Sequence, residues 1–226
     1  MAKKKISRKE LLKAPDEFQT ISSKGVNFFN DHVKEFKFFG IGLAVIAVGY
    51  LAVFGYITHV NKKGLEAYNT AYDILAGSDK PDIPDEEKAK AEKLFQEVIN
   101  EYSFSKAALL AYPQIGHLKF SQKQYEDAIV SYEKFAEKVK GDKEYSALND
   151  LALAANFEAK GNLEKSIGIL SALVGSPDTP FREIAMYNLA RVYRQNKQDD
   201  KAKETLKAFV SEYTNSPFLP MAKARL

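Results

Sequence analysis

The sequence of 226 residues contains no cysteine, no tryptophan and only three histidines. Without cysteine the chain has no disulfide framework, no thiolate metal site, no thiol nucleophile and no cysteine-linked lipid anchor. The histidines, His32, His59 and His117, lack ligand-like spacing, so we predict no metal site. The sequence also lacks a Walker loop, a dinucleotide-binding glycine fingerprint and a nucleophile elbow. We therefore predict no cofactor and no enzymatic activity.

Charge is distributed unevenly along the chain. Residues 1–37 carry nine Lys or Arg against five acids, whereas residues 38–226 carry 24 against 25. Affinity for nucleic acid comes mainly from basic groups that neutralise phosphates. The body of the chain is nearly neutral and has no basic block, and we therefore expect no nucleic-acid partner.

The longest uncharged run extends for 21 residues, from Phe38 to Thr58. As a helix it would be roughly 32 Å long, enough to cross a bilayer core of about 30 Å. A cleaved secretory signal is the main alternative, but its apolar core is shorter and lies nearer the amino terminus, before a small-residue cleavage site. The third interpretation of this run is a buried helix of a soluble protein. We predict a single transmembrane helix over residues 38–60.

Basic residues near the run predict its orientation. Lys24, Lys34 and Lys37 precede it closely, while Lys62 and Lys63 follow it. Because lysines near a span stay preferentially on the cytoplasmic side, we expect a cytoplasmic amino terminus. The segment before the run is predicted to be an amphipathic helix, which either contacts anionic headgroups or serves only as a topology signal.

Beyond the run, the sequence repeats itself. The pattern that begins at Lys90-Ala91 and ends at Ser105 returns from Lys201-Ala202 to Ser216, an offset of 111 residues or three repeats of about 37. One small residue marks each copy at intervals of 37, 38 and 36 residues: Ala91, Ala128, Ser166 and Ala202. A small side chain at a fixed point of each helix allows a second helix to approach closely. The spacing therefore predicts stacked helix pairs.

A second pattern lies upstream of each small residue. Ile115-Gly116, Leu153-Ala154 and Leu189-Ala190 are each followed, three residues later, by a large residue, and then by a polar turn. Together, the two patterns resemble the tetratricopeptide repeat family. This resemblance implies an all-α superhelix of about four helix pairs and a closing helix. The predicted fold is therefore one N-terminal transmembrane helix followed by this superhelix.

The predicted domain boundaries follow from these patterns. Residues 1–37 form a basic cytoplasmic tail with its amphipathic segment, residues 38–60 the transmembrane helix, and residues 64–226 the repeat domain. The repeats cover about 64–104, 105–142, 143–179 and 180–216, and the closing helix covers 217–226. Two departures from the family pattern are a polar insertion at 77–85 and Pro113, which is expected to kink or delay its helix.

The resemblance also implies a concave groove that binds a partner polypeptide. Matching the family's groove positions to this sequence selects eight residues: His117, Phe120, Leu148, Leu151, Glu158, Tyr187, Arg191 and Arg194. The alternative for Leu148 and Leu151 is packing against a neighbouring helix, and the alternative for Arg191 and Arg194 is a solvated surface.

The whole architecture resembles that of the YfgM-type ancillary subunits of the bacterial Sec translocon. This resemblance implies an inner-membrane anchor, a periplasmic repeat domain, and translocon subunits, a periplasmic chaperone or exported polypeptides as partners. An alternative is a scaffold for cell-envelope or outer-membrane assembly, and an enzyme of unrecognised type is a third hypothesis. Self-association stays open.

Overall fold

A computed structural model describes residues 17–76, 83–176 and 178–226 of the chain. Every regular element in these residues is a helix, which confirms the predicted all-α fold. The helices are α1 Glu17–Asp31, α2 Val33–Ala76, α3 Asp85–Glu101, α4 Lys106–Ser121, α5 Tyr125–Lys138, α6 Lys143–Ala159, α7 Leu163–Gly175, α8 Arg182–Gln195, α9 Asp199–Glu212 and α10 Leu219–Lys223. The basic residues of 1–16 and most of the polar insertion, 77–82, lie outside the described residues.

The chain divides into two compact units, Met1–Tyr56 and Ile57–Leu226. In the first unit, α1 and α2 are separated by a one-residue interruption at His32. Backbone hydrogen bonds from His32 to Phe28 and from Phe36 to His32 keep the helical pattern across it. The described part of the predicted amphipathic segment is therefore divided between two helices, and Phe28, Phe29 and Phe36 are exposed.

The apolar run lies within α2, a helix of 44 residues. Among the described residues, α2 is the one helix that is long and apolar enough to cross a membrane. Its most apolar window is not buried at all, which differs from the core helix of a soluble protein. Length and composition support a span, and a signal sequence near the amino terminus would pass the same criterion.

The second unit consists of helices packed in chain order. The four small residues that marked the repeats, on α3, α5, α7 and α9, are all completely buried. The buried side chains form successive clusters: the first joins α2, α3 and α4; the next joins α5 and α6; the third joins α6, α7 and α8; the last joins α8, α9 and α10. Phe120 of α4 also packs against the second cluster, so neighbouring clusters share a helix and the core is continuous along the stack, as expected of a repeat superhelix.

The turns inside the helix pairs also repeat. One residue in each turn has a left-handed backbone: Lys123 at φ 61°, Gly161 at φ 85° and Lys197 at φ 57°. A single left-handed residue reverses the chain tightly, and only one of the three turns uses glycine for it. Pro113 does not delay its helix, since α4 begins at Lys106 and runs through Pro113 to Ser121.

Candidate functional site

All eight predicted groove residues lie on the first helices of their pairs. His117 and Phe120 are on α4; Leu148, Leu151 and Glu158 are on α6; Tyr187, Arg191 and Arg194 are on α8. Their surroundings differ from residue to residue.

The two residues of α4 are in different environments. His117 is exposed and lines a cavity of about 570 Å³ together with Tyr72 and Pro113. Phe120 is half-buried and packs against the cluster formed by α5 and α6; its ring centroid lies 5.6 Å from that of Tyr125. His117 is therefore available to a ligand, whereas Phe120 contributes mainly to packing.

An apolar stripe begins at Leu148, which is 46% exposed. Ile184 and Met221 follow at intervals of 36 and 37 residues and are 36% and 46% exposed. Each stands directly before a buried residue of the repeat core, so the three occupy equivalent positions on α6, α8 and α10. We call them the apolar ladder. Leu151, in contrast, is half-buried against the cluster of α6, α7 and α8.

Leu148 is among the groove residues predicted from the sequence, whereas Ile184 and Met221 are not. The signal was present in the sequence, because Ile184 and Met221 precede Ala185 and Ala222 as Leu110 precedes Ala111. Register within the repeat therefore identifies the ladder once the closing helix is aligned with the first helices.

Glu158 and Arg191 bind each other. The Arg191 guanidinium donates two hydrogen bonds to the Glu158 carboxylate, of which the one from Nη2 to Oε2 is 2.6 Å long. The pair joins α6 to α8, the first helices of adjacent repeats. A bidentate arginine–carboxylate pair is charge-assisted and geometrically specific. Each side chain is thus already engaged, and a ligand would have to compete for it.

Arginines surround a cavity of about 380 Å³ at the carboxyl-terminal end of the domain. Arg194 donates a hydrogen bond to the backbone carbonyl of Arg225, whose guanidinium carbon lies 5.7 Å from the centre of the Tyr187 ring. Tyr187 itself stacks on Phe218 with ring centroids 5.2 Å apart. We call this the arginine pocket. Its cations above an aromatic wall suit an acidic side chain of a partner polypeptide.

Within the described part of the chain, no group of three or more His, Asp or Glu residues is placed to hold a metal ion. The first helices and the closing helix present an ion pair, arginine donors and an exposed aliphatic stripe.

Comparisons with known proteins agree with this architecture. The family model "Tetratricopeptide repeat-like domain" matches residues 27–172, and the model "Tetratricopeptide repeat" matches residues 184–216. No curated protein matches the chain significantly. Among solved structures, the kinesin light chain "nearly identical TPR-like repeats" of Podosopora anserina and a single-substitution variant of it are similar to the chain. Each has a TM-score of 0.56 and 16% identity and covers 74% of this chain and 84% of its own length. At this identity the likeness concerns the fold alone.

Proposed function

Because the chain belongs to the tetratricopeptide repeat-like family, we propose that it is a membrane-anchored scaffold that binds a partner polypeptide along the first helices of its repeats. Proteins of this fold bind other proteins through surfaces that are continuous from repeat to repeat. The observation that carries the proposal is the apolar ladder, since Leu148, Ile184 and Met221 remain exposed at equivalent positions of α6, α8 and α10.

The apolar ladder and the arginine pocket together favour a ligand that is apolar along one face and acidic at one end. Exposed aliphatic side chains cost free energy in water, and covering them with the apolar face of a polypeptide would recover part of it. The arginine pocket, with Arg194 on α8 and Arg225 just after α10, would then receive an acidic residue of the same polypeptide. A partner segment with apolar residues on one face and an acid at one end fits both features.

We further propose that this membrane-anchored scaffold acts at the Sec translocon. It rests on the resemblance to ancillary translocon subunits and on the order of the parts: a basic tail, an apolar run and a repeat domain. The family model matches from residue 27 onward, so the matched region includes the apolar run and supports the run as part of the architecture. We propose an inner-membrane anchor and a periplasmic domain that meets exported polypeptides or recruits a chaperone for them.

Site-specific photo-crosslinking in intact membranes tests this function. A photoreactive amino acid in place of Leu148 probes the ladder, and the same amino acid in place of Val130 is the matched control. Val130 is equally an exposed aliphatic residue, at 47%, but lies on α5, the second helix of its pair. A probe at Leu148 or Val130 is more accessible to a partner protein than a probe at Phe120 or Tyr187, because the rings of those two residues pack against the core.

We expect the Leu148 probe to capture translocon subunits, a chaperone or exported chains, and the Val130 probe to capture markedly less of them. Adducts with outer-membrane or cell-wall assembly proteins would favour the envelope scaffold instead. Equal adducts from both positions would mean that the ladder is not the binding surface.

A further inference from the structure

Phe104 is unusually exposed for an aromatic residue of the repeat domain. It is 77% exposed, more than any other aromatic residue described in residues 57–226. It stands in the turn between α3 and α4, residues 102–105. The turn is well fixed: the Ser105 amide donates to the Tyr102 carbonyl at 2.7 Å, and the buried Ser105 hydroxyl accepts a hydrogen bond of 3.0 Å from the Ala108 amide. Phe104 is thus held outward by an ordered turn.

This turn is attached to α2 just beyond the end of the apolar run. The Asn61 side chain accepts a hydrogen bond of 2.9 Å from the Lys106 amide. One turn further along α2, Gly64 packs so closely that a Cβ there would lie 2.6 Å from the Ser105 hydroxyl oxygen. Asn61 follows Thr58, the last residue of the run, by three residues, about 4.5 Å of helix rise. The turn therefore lies against α2 at a point three to six residues beyond the end of the apolar run.

Lysines lie beside the exposed ring. A cavity of about 260 Å³ is lined by Phe104, Tyr112 and Lys138, and the Lys138 ammonium stands 5.4 Å from the centre of the Tyr112 ring. Lys106 follows the turn directly and is exposed, while Lys62 adjoins Asn61 on α2. Two exposed acids are also close in sequence: Glu101 at the end of α3 and Glu137 next to Lys138. Three lysines thus stand against two acids around Phe104.

We propose that the turn at residues 102–105, with Lys106 and Lys138, docks on the surface of an anionic bilayer. Phe104 enters the boundary between headgroups and acyl chains, and the lysines contact anionic headgroups, a combination typical of interfacial binding. The inference rests on the proposed membrane anchor, because the height of the turn is measured from the end of the apolar run. It adds a second contact with the lipid, which would restrict tilting of the repeat domain.

Depth-dependent fluorescence quenching tests the proposal on the full chain in vesicles of phosphatidylcholine and phosphatidylglycerol. The natural sequence has no cysteine, so single cysteines can be labelled cleanly. Ser103→Cys places an environment-sensitive fluorophore beside Phe104, and Gln124→Cys is the control at the other end of α4, roughly 24 Å away by helix rise. Gly49→Cys, in open surroundings within the apolar run, reports the anchor.

We expect a lipid quencher at headgroup depth to reduce emission from the Ser103 label by about twofold or more, with little effect on the Gln124 label, because only the former enters the interface. Phe104→Ser should remove most of this quenching. Lys138→Glu should weaken it, whereas Lys123→Glu, in the turn at the other end of α4, should leave it unchanged.

The labels separate failure of this proposal from failure of the anchor. If a quencher deep in the acyl chains reaches Gly49 while Ser103 stays unquenched, the anchor stands and docking is overturned, and a protein would have to cover Phe104 instead. Quenching of Ser103 that persists unchanged in Phe104→Ser would also overturn it. An unquenched Gly49 label would remove the anchor and the docking inference together.

Discussion

At the scale of single residues, Gly116 shows how closely a helix pair packs. A Cβ at this position would lie 2.7 Å from Cε2 and 2.8 Å from Cζ of the Tyr132 ring on the partner helix α5. The ring cannot easily yield, because Tyr132 is buried, and that burial raises the pKa of its hydroxyl to about 12. The Tyr132 ring therefore requires a small residue at position 116, which the repeat pattern equates with Ala154 and Ala190.

We expect Gly116→Ala to lower the free energy of unfolding by about 1–3 kcal/mol, the usual cost of overpacking a core. Chemical unfolding of the detergent-solubilised chain, followed by far-ultraviolet circular dichroism, measures the change. Gly168→Ala on α7 is the matched control, because nothing lies within 4 Å of a Cβ built there. That variant should be neutral or gain up to about 1 kcal/mol from the higher helix propensity of alanine. Similar effects of both substitutions would contradict the steric account.

At the scale of elements, the third helix pair is more polar inside than its neighbours. Asn149 and Asn156 on α6 are both buried, where the equivalent residues are Ala111 and Leu118 on α4 and Ala185 and Val192 on α8. Neither polar side-chain atom of Asn149 has a hydrogen-bond partner among the described residues. An unsatisfied buried polar group costs about 1–3 kcal/mol. The packing of α6 therefore carries a free-energy cost that the packing of the equivalent helices α4 and α8 does not.

Replacing Asn149 with alanine, the residue of both neighbouring repeats, should raise the free energy of unfolding by about 1 kcal/mol, since it removes an unpaired amide from an apolar interface. Asn156→Ala on the same helix is the comparison. Its amide donates a 2.8 Å hydrogen bond to the Ala152 carbonyl, so this substitution should gain less or lose stability. The same unfolding measurement applies. Lower stability of Asn149→Ala would reveal that the amide has a partner, such as a buried water.

The helices themselves follow from the sequence, because their small residues, polar turns and apolar spacing recur three or four times. Ser166 illustrates the strength of that pattern, since it is fully buried at the position of Ala91 and Ala128 despite its hydroxyl. The Glu158–Arg191 pair did not follow from the sequence. Its residues are 33 apart, and their meeting depends on how adjacent repeats rotate against each other, which a one-dimensional pattern does not specify.

At the scale of the whole molecule, the position of the apolar run decides where the scaffold works. A bilayer would account for the exposed apolar run in this helix of 44 residues, because lipid would cover side chains that the described residues of the first unit leave exposed. The run contains no charged residue. Intramembrane charges usually mark transport paths, so their absence suits an anchor. The side on which the repeat domain emerges then determines which polypeptides it can meet.

We expect the repeat domain to be periplasmic and residues 1–37 to be cytoplasmic, since the lysines before the run outnumber those just after it. Lys24→Cys and Lys203→Cys test this in intact bacteria with a membrane-impermeant maleimide; both side chains are exposed, and no natural cysteine competes. Lys203→Cys should label in intact cells, and Lys24→Cys only after permeabilisation. A membrane-free product that has lost residue 24 would identify the run as a cleaved signal. The reversed labelling pattern would place the scaffold in the cytoplasm, where its apolar ladder could not receive exported chains.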